Sequence, residues 1–195
     1  MRLKPIFLSL AFTALASPAF AHTGAGTAFS FQSGFLHPLG GLDHLLAMFA
    51  VGLLAAQIGG RAIWLVPGTF VMTMIAGALA GFVGFDIPGV ELGIVVSIVA
   101  IALPVAFALG MPAALAMAYV GFFALFHGYA HGAELPIEAG AAPYIAGFAL
   151  ATALIHAAGV AIGLACGRLA SAHGSYALRF TGGLVAVVGL GLAIA

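Results

Sequence analysis

Charge is what this sequence has least of. Five Lys and Arg and five Asp and Glu make 5% of 195 residues, against about 25% in a soluble domain. So little charge cannot cover a water-facing surface, which excludes an ordinary cytosolic enzyme. There is no basic patch, so a nucleic-acid partner is excluded as well. The 64% hydrophobic content excludes a disordered tail. Cys166 is the single cysteine, which rules out an intramolecular disulfide and any cysteine-based zinc site. No phosphate-cradling Gly-Lys motif occurs, so the chain does not hydrolyse ATP. What remains is apolar and rich in Gly, with 28, as where membrane helices pack closely. Seven His outnumber the acids and the bases taken separately. In a lipid-soluble chain that points to function.

Residues 1–21 carry the marks of a signal peptide. Arg2 and Lys4 form a positive start, Ile6 to Ala16 a short apolar core, and Ala19-Phe20-Ala21 a small-x-small cleavage site before His22. An uncleaved first membrane helix is the alternative, opposed by the short apolar run and the Ser17-Pro18 break. Residues 22–195 read as one all-α domain, a six-helix transmembrane bundle. The expected spans are His37–Ile58, Ala62–Val83, Val90–Leu109, Pro112–Ala130, Pro143–Cys166 and Tyr176–Ile194. Gly77–Gly81, Gly128–Gly132 and Gly159–Gly163–Gly167 are small-xxx-small spacings that let helices approach.

An external N-terminus and six spans place both mature termini on the periplasmic side. Arg61, Arg168 and Arg179, all the Lys and Arg after residue 21, then lie at cytoplasmic ends. Asp86, Glu91, Glu134 and Glu138 fall near the opposite face. Glu138 reads as a solvated loop charge, and His173 as a solvated loop histidine.

The polar residues are clustered. His37-Pro38-Leu39-Gly40-Gly41-Leu42-Asp43-His44 opens the first span. With Pro38 in the first helical turn, His37 and His44 share a helix face, roughly 10 Å apart along its axis, and Met48 continues that face. Phe126-His127-Gly128-Tyr129-Ala130-His131-Gly132-Ala133-Glu134 closes the fourth span. His127 and His131, at i and i+4, can bind one metal ion from one helix. With the topology above, His37, Asp43, His44, Glu91, His127, His131 and Glu134 converge at the outer end of the bundle. Burying such groups is costly unless they pair or hold a cation. Depth suggests an outer level of His37, Glu91, His131 and Glu134 and an inner level of Asp43, His44 and His127. Two moderate sites in series let an ion enter and still leave.

Imidazole and carboxylate without thiolate point to a borderline divalent ion. Nickel, cobalt, zinc and copper all stay open on that ground, and an all-oxygen calcium or magnesium site is disfavoured. His22, with its α-amine freed by cleavage, is a further candidate ligand on a fourteen-residue Gly-rich tether. His156, deep in the fifth span, reads as a relay ligand or as a core His bonded to a backbone carbonyl.

The motifs His37-Pro38-x-x-Gly41-x-Asp43-His44 and Phe126-His127-Gly128-x-Ala130-His131-Gly132-x-Glu134 resemble the two signatures of the HupE/UreJ family of nickel permeases. The resemblance covers essentially the whole chain. It implies uptake of Ni²⁺, or Co²⁺, across a bacterial inner membrane for hydrogenase or urease maturation. It also implies that His37, Asp43, His44, His127, His131 and Glu134 handle the metal. The ion is then cargo, Zn²⁺ included, with no catalytic cofactor and no enzyme activity. The expected partners are the bilayer and a downstream metallochaperone; oligomeric state is not legible. Two other classes remain open: an intramembrane zinc metallohydrolase with Asp43 or Glu134 as base, and a metal-sensing accessory membrane subunit.

Overall fold

In the computed structural model the described residues are 30–134, 141–168 and 172–194. The signal-peptide reading, His22 and Glu138 lie outside them. The described residues form seven helices and no strand: α1 (Phe31–Gly40), α2 (Leu42–Ile58), α3 (Ala62–Phe82), α4 (Val90–Ala106), α5 (Ala113–Ala133), α6 (Ala141–Arg168) and α7 (Ala172–Ala193). Four of these, α3, α5, α6 and α7, are long and apolar enough to cross a membrane. The bent pair α1–α2 would make a fifth span, and α4 is apolar but has only 17 residues. Large apolar side chains face outward, Trp64 at 80% and Phe180 at 73% exposure among them. A protein that shows such residues on its outer surface has lipid, not water, around it. The chain is a multi-pass membrane protein.

The expected first span is broken. Ser30 caps α1 by accepting from the Ser33 backbone N–H, while the Ser33 hydroxyl accepts from the Ser30 N–H. Pro38 therefore sits inside α1, not in the first turn of a span. Gly41 is extended (φ −99°, ψ 116°) and ends the helix. Beyond it α2 sets off at 84° to α1. His37 and His44 consequently stand on different helices, and a shared helix face does not exist.

α2 is the middle of the molecule. It touches every other described helix, and Ala47, Met48, Ala50, Val51, Leu53, Leu54 and Ala55 are sealed from the surface. A helix apolar all round has to be buried this way. The α4 C-terminus is closed by side chains. Gln57 donates to the Pro104 and Leu109 carbonyls, and Arg179 donates to the Ala106 carbonyl, satisfying groups a helix end leaves open.

The most extensive helix pair is α3 against α5. A methyl on Gly128 would overlap the Met74 carbonyl oxygen, and one on Gly132 the Ala78 carbonyl oxygen. Gly77 and Gly81 answer from α3 against Leu125 and Tyr129. Both small-residue spacings thus meet in a single seam, backbone against backbone. In the third spacing, Gly159 and Gly163 pack on α2, while Gly167 meets nothing.

Candidate functional site

The break at Gly41 sets the level of the site. It makes His44 the third residue of α2, at the very start of that helix. His131 lies in the last turn of α5, which runs the other way. The two rings meet, Nε2 to Nε2, at 2.7 Å. The expected division into an outer level with His131 and an inner level with His44 is thereby corrected. Its depth scale assumed a helix running unbroken from His37.

Protons can be assigned around this contact. The Asp43 carboxylate, a pure acceptor, lies 3.1 Å from His44 Nδ1 and also accepts from the His44 backbone N–H at 2.8 Å. In neutral His44, Nδ1 is then the protonated nitrogen and Nε2 carries the lone pair. The His131 Nε2–H donates to it. A carboxylate fixing the far nitrogen of an imidazole is the arrangement that presents the other nitrogen to a metal.

His127 lies one turn below His131 and is fully buried. Its Nε2 is 2.8 Å from the Ser97 hydroxyl of α4. Ser97 donates its only proton to the Ile94 carbonyl at 2.6 Å. The Ser97 oxygen therefore accepts from Nε2–H of His127, and His127 Nδ1 is a bare lone pair with no hydrogen-bond partner. Nothing in the sequence singles out Ser97 except that it is a lone hydroxyl in an apolar run. With Ser97→Ala the tautomer is no longer held, by about 1 kcal/mol for one hydrogen bond. Imidazole ¹⁵N shifts should then move from a single Nε2–H form to a mixture of tautomers. An unchanged spectrum would show that Ser97 does not set the proton.

His37 completes the group from α1, its ring centroid 4.6 Å from His131 and 6.4 Å from His44. His44 and His127 are 4.9 Å apart edge to face. The four imidazoles form one contiguous string, His37–His131–His44–His127. Phe148 and Tyr144 of α6 cover it, with Phe148 4.3 Å from His131 and Tyr144 6.0 Å from His37. Sequence reasoning passed over both aromatics, which look like ordinary core residues of a span.

The two outer carboxylates differ in position. Glu91 is exposed in the first turn of α4, with no hydrogen bond or ion pair among the described residues, and does not join the imidazoles. Topology put it at the right end of the bundle but on an outward face. Glu134 is the exposed C-cap of α5, beside Tyr144. Among the described residues no three His, Cys, Asp or Glu side chains are already gathered round one ion position. The donors come in successive pairs. An ion bonded to both His44 and His131 Nε2, at about 2.0–2.1 Å each, needs the nitrogens only about 3.4 Å apart at a tetrahedral angle. A shift of the His131 proton from Nε2 to Nδ1 and a small ring movement would provide that.

A family model described as HupE / UreJ protein matches residues 10–192. The chain is 43% identical to the protein HupE of Rhizobium leguminosarum bv. viciae over 197 residues, covering all of both chains. No solved structure matches.

Proposed function

Because this chain belongs to the HupE/UreJ family, we propose that it is a permease importing Ni²⁺, with Co²⁺ or Zn²⁺ as competing cargo. The observation that carries this reading is the buried imidazole string with Asp43 behind His44. Neutral nitrogen donors in a lipid-soluble fold are costly to keep without a cation to serve. Donors in consecutive pairs bind moderately and pass an ion on, where a closed four-ligand cage would hold it.

In this reading residues 1–21 are removed and six spans cross a bacterial inner membrane. The His37 end faces outward, and Arg61 and Arg179 face the cytoplasm. Glu91 and Glu134, exposed near the mouth, attract the cation before it meets His37 and His131. His22, as the new N-terminus, adds an amine and an imidazole above them. A metallochaperone receives the ion inside for hydrogenase or urease assembly.

The test is transport by this chain alone. Purified protein in liposomes is expected to admit Ni²⁺ down its gradient, in competition with Co²⁺. Entry no faster than into protein-free liposomes would overturn the proposal. Binding without entry would make the chain a sensing or accessory subunit instead.

A further inference from the structure

His156 of α6 is 1% exposed, and neither ring nitrogen has a hydrogen-bond partner among the described residues. A core histidine bonded to a backbone carbonyl is thus not what the fold contains. One ring connects His156 to the imidazole string. Phe70 of α3 is in ring contact with both, 5.8 Å from His127 and 5.1 Å from His156. The depth is fixed by packing. The His156 carbonyl sits against Gly52, eight residues past His44 on α2, or about 12 Å further in.

Two further donors lie one helical turn away, Thr152 four residues before His156 on α6 and Met74 four residues after Phe70 on α3. Thr152, one turn earlier on the same face of α6, is fully buried, and its hydroxyl reaches Met74 Sδ of α3 at 3.9 Å. Beside His156 a groove of about 570 Å³ opens between α3 and α6. It runs towards Trp64 and Leu164, the Arg61 end of the bundle. An unpaired imidazole in such surroundings is retained at a cost.

We propose that His156, with the Thr152 hydroxyl and the Met74 thioether, forms a second, inner station for a borderline divalent metal ion, about 12 Å beyond His44. The station rests on the permease reading above. Imidazole, hydroxyl and thioether suit nickel or cobalt better than magnesium or calcium. All three are neutral, so the station binds more weakly than one backed by Asp43. A weak site is what an ion leaving for the cytoplasm requires.

Equilibrium dialysis of detergent-purified protein against Ni²⁺ and uptake into liposomes test this together. The wild type is expected to bind one ion more per chain than His156→Ala. The variant should keep the tighter outer binding and lose uptake at least tenfold. His156→Gln, close in volume, gives the same reading if the alanine variant does not accumulate. Equal stoichiometry and wild-type uptake in the variant would overturn the inner station and leave the permease intact. A wild type that neither binds nor transports would overturn both.

Discussion

Replacing His44 by alanine is expected to abolish Ni²⁺ uptake while the protein stays in the membrane at its usual amount. Three features make this the most damaging single change at the site. His44 is the one imidazole in ring contact with all three of the others. Its Nε2 is the lone pair that Asp43 holds ready. Its loss leaves the Asp43 carboxylate with only the backbone N–H of residue 44 as donor and the His131 Nε2–H without its acceptor, at the start of a membrane helix. Asp43→Asn separates orientation from ligation. An amide can present its N–H to His44 Nδ1 and turn the lone pair away from His131. Uptake should then fall by about 10–100-fold, the usual loss when an outer partner of a metal ligand is removed. Full uptake by His44→Ala would end the assignment. Full uptake by Asp43→Asn would reduce Asp43 to a helix-start charge.

Gly132→Val is expected to be as damaging by an unrelated route. The Gly132 position has no room for a single methyl, since the Ala78 backbone oxygen occupies it. Overpacking of one methyl usually costs about 1–3 kcal/mol, and here rigid backbone, not a yielding side chain, lies on the other side. The α3–α5 seam must part, and His131, the neighbouring residue, moves with it. The amount of folded protein surviving a mild detergent and heat challenge should drop steeply, and uptake with it. Gly183→Ala provides the control, because a methyl there meets nothing within 4 Å. Equal survival of Gly132→Val and Gly183→Ala would mean that the seam does not determine stability.

The helices were legible because each is a long apolar run closed by Gly, Pro or charge. The expected Ala62–Val83 span is realised as Ala62–Phe82, and the expected Pro143–Cys166 span lies within Ala141–Arg168. The broken first span was not legible. Pro38 suits a first helical turn, but the helix starts at the Ser30–Ser33 capping box eight residues before it. Residues 31–35, expected to be a flexible tether, are helical instead. The motif histidines converge as the topology implied: ring contacts link His37, His131, His44 and His127 into one string. Their partners could not be read. Ser97 and Phe148 are ordinary residues until tertiary packing places them against an imidazole. Glu91 illustrates the opposite limit, since topology predicts the end of a bundle but not the face of a helix.

The 84° corner at Gly41 has a mechanical meaning. α1 lies along α6, with Gly34 against the Tyr144 backbone and Gly147 against that of Phe31. The short helix is therefore a lever fastened to α6, and Gly41 is its pivot on α2. A tilt of α6 relative to α2 would swing His37 towards or away from His44 with no turn of helix unwound. The seven-residue spacing between those two histidines measures a strap across a hinge, and the gap that strap spans is where a cation would first be gripped or let go.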